Sequence, residues 1–118
     1  MANAYNAYFK TQNATENPRA TEYRLFGNVT AALIEAEETP DDYIKRIEAL
    51  TWNRDMWATL RIDLNNPDNK LPDDLKVNLI SLSIWVEKHT FKVMDNEAKM
   101  KPLIDMNKVI MEGLRGSG

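Results

Sequence analysis

Residues 71–86 read Leu71-Pro72-Asp73-Asp74-Leu75-Lys76-Val77-Asn78-Leu79-Ile80-Ser81-Leu82-Ser83-Ile84-Trp85-Val86, and how they fold decides the class of the whole chain. Within them Ile80-Ser81-Leu82-Ser83-Ile84 alternates with the period of two that marks a strand. The wider window argues for a helix. Leu75, Asn78, Leu79, Leu82, Val86 and Val93 recur at intervals that stack side chains on one helix face. Leu71-Pro72-Asp73-Asp74 is a helix start, with proline and acids where the first turn favours them. No other segment supplies a partner strand. Almost every residue from Leu79 to Val86 is apolar or small, so this stretch is expected to be the central, most enclosed helix of a bundle.

Prolines and turn residues divide the rest of the chain in the same way. Asn17-Pro18 is a cap followed by proline at the first helical position. The helix it opens carries Leu25, Val29, Ala32, Leu33 and Ala36 on one face and runs to about Glu38. Thr39-Pro40-Asp41-Asp42 starts a second, with a stripe through Ile47, Leu50, Asn53, Trp57, Leu60 and Leu64. Asn65-Asn66-Pro67-Asp68-Asn69 is a turn. A last helix begins near Glu97 or Lys101 and ends at Leu114-Arg115-Gly116, with glycine as its C-cap. The first dozen residues, with Tyr5, Tyr8 and Phe9, either add a short N-terminal helix or wait for a partner. The expectation is an all-α chain, a small bundle of four main helices forming a single domain over residues 1–118.

Three asparagines interrupt the apolar stripes. Asn53 lies between Leu50 and Trp57, Asn78 between Leu75 and Leu82, and Asn107 between Leu103 and Ile110. An amide buried without partners costs about 1–3 kcal/mol. Three such placements therefore point either to polar pairing inside the bundle or to a face that another chain completes.

Composition narrows the function. The chain has 118 residues, 43% hydrophobic and 28% charged, with a net charge of −3. That balance gives no general attraction to phosphate backbones or anionic membranes. Cysteine is absent, which excludes disulfides, thiolate nucleophiles and cysteine-ligated zinc. The opening Met-Ala-Asn-Ala-Tyr lacks a basic and then hydrophobic leader. The apolar stretch from Leu79 to Val86 is too short to span a bilayer. A cytoplasmic location without membrane insertion is the expectation. The closing Gly116-Ser117-Gly118 reads equally as a native end or as appended residues.

Chemistry has little to stand on. Asp41-Asp42 and Asp73-Asp74 pair carboxylates, but each pair sits at a helix start, where negative charge complements the macrodipole. His89 is the only histidine and has no carboxylate at ligand spacing. The four glycines form no phosphate loop. No catalytic residue, metal ligand or cofactor is expected. Lysines and arginines alternate with acids along the chain, so autonomous nucleic-acid binding is not expected either.

Three features could carry protein binding. The last helix is apolar around much of its circumference, with Leu103, Met106, Ile110 and Leu114 on one line and Met100, Ile104, Asn107 and Met111 on another. Methionine moulds to varied apolar partners, although a wide core face would look the same. Tyr5 and Tyr8 cluster aromatics at the chain start. Trp52 falls off the Leu50–Trp57 stripe and, exposed, would be an interface anchor, for a partner or for a homodimer. The candidate partner-binding set is Tyr5, Tyr8, Trp52, Met100, Ile104 and Met111.

Taken together, these residues resemble a known family. Asn53-Arg54-Asp55-Met56-Trp57, Leu71-Pro72 through Leu75, Asn78 to Val86, and Ile104-Asp105-Met106-Asn107 through Gly113-Leu114-Arg115-Gly116 are similar to the alphaproteobacterial flagellar biosynthesis regulator FlaF. Ala4-Tyr5-Asn6-Ala7-Tyr8 with Gln12, and Asn17-Pro18-Arg19, extend the likeness over nearly the whole chain. Met56 and Met106 depart mildly from it. The resemblance implies a helical, non-enzymatic cytoplasmic protein that binds flagellin as an export chaperone and regulates flagellin synthesis and flagellum assembly. It also implies action with a second regulator, FlbT. The alternative is a post-transcriptional regulator that acts on flagellin messenger RNA directly or with FlbT.

Overall fold

The computed structural model describes residues 18–116, with side chains from Thr21 to Leu114. The described residues form four helices: α1 Pro18–Glu38, α2 Tyr43–Leu64, α3 Asp73–Met94 and α4 Lys101–Gly116. No strand occurs among them, so the alternating Ile80–Ile84 stretch is helical. Its period of two was overridden by the longer helical register on either side. The expected short N-terminal helix lies outside the described residues.

Local chemistry sets the boundaries. Asp42 is the N-cap of α2, accepting from the Lys45 backbone N–H at 3.0 Å. Asp41 lies outside the helix, whereas Asp73 and Asp74 both fall in the first turn of α3. α3 ends in a Schellman motif, in which the Glu97 N–H reaches Lys92 O at 2.8 Å and the Asn96 N–H reaches Val93 O at 3.1 Å. Asn96 carries the positive φ of 61° that this motif needs. That stop delays α4 to Lys101. At the other end, α4 runs through Gly116, the last described residue.

Around the bundle the helices follow the order α3, α2, α1, α4. α1 packs against α2 and α4, α2 packs against α1 and α3, and α3 meets α4 only briefly. The core consists of Leu25, Phe26, Val29, Leu33 and Ala36 from α1 and Ala49, Leu50, Met56 and Trp57 from α2. Val86 and Val93 of α3 join it, as do Met100 and, from α4, Leu103 and Ile104. The Phe26 ring meets the Trp57 indole edge-on at 5.7 Å.

The expectation that α3 is the most enclosed helix is corrected by this arrangement. Its buried residues are Ser83, Val86, Thr90 and Val93, and none precedes Ser83. Arg61 bonds Glu87 at 2.8 Å and Arg54 lies over the Phe91 ring at 5.8 Å, which fixes α2 and α3 antiparallel. Continuing that register places Leu64, the last residue of α2, level with about Ser83. Residues 73–82 therefore overhang the end of α2 by about 15 Å at 1.5 Å per residue. Leu75 and Asn78, expected on a buried stripe, are exposed for this reason. The Asn65–Asn69 turn climbs the gap, held by Asn69 Nδ2 donating to Asp63 O and Lys76 Nζ donating to Asn69 O.

Candidate functional site

Two of the three stripe asparagines meet in the core. Asn53 and Asn107 are fully buried, and Asn107 Nδ2 donates to Asn53 Oδ1 at 2.8 Å. Trp57 Nε1 donates to Asn107 Oδ1 at 2.9 Å. These two asparagines are determinants of the interior, and Asn78 takes no part. One loose end remains: Asn53 Nδ2 is buried without a partner.

The expected docking line on α4 divides. Met100 and Ile104 are each 3% exposed and belong to the core, so they present no free surface in this fold. The reason is that α4 packs broadly on α1, and its wide apolar arc faces inward. Met111 is half-buried. Its methyl group stands 3.5 Å from where a Cβ at Gly27 would sit, and its sulfur accepts from Thr30 Oγ1 at 3.9 Å. Tyr5 and Tyr8 lie outside the described residues. Trp52 is on the surface as expected, 44% exposed, where it lines an open groove of 360 Å3 with Ala32, Glu35, Lys45, Glu48 and Ala49.

The surface that the sequence reading missed is on α3. Val77 is 61% exposed, Ile84 40% and Phe91 47%. They repeat every seven residues, and Ile80, half-buried, falls between the first two on the same line. At 100° per residue Val77 and Ile84 point away from the face of Ser83, Val86, Thr90 and Val93 that packs on α2, while Ile80 and Phe91 stand at its margin, where Phe91 meets Arg54. α3 is thus apolar on two faces and packed on one. The signal was legible in the i, i+7, i+14 spacing of Val77, Ile84 and Phe91. The same spacing also fits enclosure, because a helix apolar all round is ordinarily a buried one.

Two titratable groups near this surface, His89 and Glu87, are engaged in structure. His89 stacks on Trp85 with ring centroids 4.9 Å apart, and its Nε2 lies 2.8 Å from Lys99 O. Glu87 is bonded to Arg61. Among the described residues no group of three or more His, Asp or Glu is gathered in a way that could hold a metal ion. None of the described helices is long and apolar enough to cross a membrane. What this arrangement can do is remove apolar side chains of another molecule from water.

The sequence matches the family described as flagellar protein FlaF over residues 4–114. No curated protein and no solved structure matches the chain.

Proposed function

The chain belongs to the flagellar protein FlaF family, and from that premise we propose that it is a flagellin-binding export chaperone and regulator of flagellin synthesis, working by apolar contact and without catalysis. A flagellin subunit buries its terminal helices only in the filament. Before export those amphipathic segments expose apolar faces and need cover. Val77, Ile80, Ile84 and Phe91 offer a complementary line one helix long, the geometry of helix-against-helix recognition. The observation that carries the reading is this second apolar face of α3. Burial of such side chains contributes about 25 cal/mol per Å2 removed from water, enough for binding that can be released at the export gate. In this reading the protein acts in the cytoplasm, and FlbT acts on the message alongside it.

Titration calorimetry of the purified protein with a peptide from a flagellin terminal helix tests this. Binding is expected with a negative heat-capacity change, weakened more than about tenfold by Ile84→Asp with the thermal midpoint unchanged. Equal affinity for wild type and Ile84→Asp would sink the α3 assignment. A salt-dependent complex with flagellin leader RNA, with no peptide binding, would favour direct action on the message instead.

A further inference from the structure

We propose that the outer stripe of α3 pairs with the same stripe of a second copy of this chain in an antiparallel, two-fold arrangement, so that the protein covers its own client surface when no client is present. The dimer face is the one assigned to the client above, and the competition between the two rests on that reading.

The edge of the stripe carries the argument. Asp74, Lys88 and Lys92 are exposed, and at 100° per residue they fall along one flank of the Val77–Ile84–Phe91 line. The acid stands at the start of the helix and the two bases stand near its end. In an antiparallel two-fold pair, each flank faces its own copy reversed. Asp74 then stands opposite Lys88 and Lys92 of the partner subunit, and the reciprocal contact repeats across the axis. Ile80 and Ile84 sit at the centre of that register, each against the other's copy. A parallel pair would set the acidic helix starts side by side and align the two helix dipoles, which both repel. The stripe is therefore complementary to itself in one orientation only.

Size sets the strength. One pair of 22-residue helices gives a contact below about 1,200 Å2, the range of weak, exchanging complexes. Such a dimer dissociates readily, as a cover displaced by a client must.

Sedimentation equilibrium of the full chain over about 1–500 μM, the range that reads a weak association, tests the pairing. The mass is expected to rise from 13.6 kDa toward twice that value with concentration. Ile84→Asp is expected to stay monomeric. Asp74→Lys weakens the dimer, and adding Lys88→Asp and Lys92→Asp to it restores the dimer; that rescue, which a misfolded chain would not show, guards against a misfolded Ile84→Asp. A monomer at every concentration, as when residues 1–17 cover the stripe, overturns the proposal. So does a dimer indifferent to the charge reversal, such as one built on the Trp52 groove. Adding the flagellin peptide separates the two readings. A monomer that binds it through Ile84 sinks the dimer and leaves the chaperone, whereas a charge-sensitive dimer that ignores it sinks the chaperone and leaves the dimer.

Discussion

The indole Nε1 of Trp57 donates to Asn107 Oδ1 at 2.9 Å, joining α2 to α4 across the diagonal of the bundle. The bond has a direction that propagates. An indole N–H can only donate, so it fixes the oxygen of Asn107 toward Trp57 and leaves the amide nitrogen to face Asn53, one turn earlier on α2. That nitrogen donates to Asn53 Oδ1, which leaves Asn53 Nδ2 without a partner. Sliding α4 by one turn would strand several buried polar groups at about 1–3 kcal/mol each. The network therefore fixes register where apolar contacts alone would tolerate a shift.

Replacing Asn107 should cost more than replacing Asn53. Asn107→Leu keeps the volume but orphans Trp57 Nε1 and Asn53 Oδ1, a loss of about 2–4 kcal/mol. Asn53→Leu orphans Asn107 Nδ2 but removes the donor on Asn53 that is already unpaired, so the number of buried unpaired donors is unchanged and the cost should stay under about 2 kcal/mol. The double variant should be less destabilised than the sum, with a coupling of about 0.5–3 kcal/mol. Urea unfolding of the four proteins measures this, and strict additivity would refute a coupled network.

Asn96 ends α3 in the left-handed region at φ 61°. An alanine there meets the steric penalty of its Cβ, about 1–2 kcal/mol, whereas glycine does not. Thermal melts should therefore show Asn96→Ala clearly destabilised and Asn96→Gly close to wild type. The opposite order would mean that the Schellman turn is not held in solution.

The two carboxylates before α2 should behave differently despite being neighbours. Asp42 caps the helix through the Lys45 N–H, so Asp42→Ala should lose about 1 kcal/mol. Asp41 lies outside the helix, and Asp41→Ala should stay within about 0.5 kcal/mol. Denaturant midpoints for the pair separate capping from simple negative charge, which would predict similar losses.

Core and surface apolar positions should also part company. Met100→Ala and Ile104→Ala each open a cavity and should cost about 2–5 kcal/mol. Val77→Ser, at a side chain 61% exposed, should leave stability within about 0.5 kcal/mol while weakening flagellin-peptide binding. If Val77→Ser unfolds the protein, the outer stripe of α3 is buried in solution and the proposed surface is gone.

Helix boundaries were legible because they are written in short-range chemistry. Asn17-Pro18, Thr39-Pro40-Asp41-Asp42 and Leu71-Pro72-Asp73-Asp74 act on backbone groups within one turn, and the observed starts lie at Pro18, Tyr43 and Asp73. The pairing of two of the stripe asparagines was half legible: burial was signalled by register, the choice of Asn53 with Asn107 was not. The exposed site was the least legible part, apart from Trp52, whose position off the stripe gave it away.

Periodicity alone determined that the chain folds as four amphipathic helices with an apolar face to hide on each, because a side chain's place on its own helix depends only on sequence spacing. Which face is hidden was left to tertiary structure, because burial needs a second helix at the right height. α2 ends at Leu64 and cannot reach residues 73–82, and α4 spends its apolar arc on α1. The same run of leucines and isoleucines that promised the bundle's centre therefore became its open flank, while Met100 and Ile104, which promised a surface, went inside.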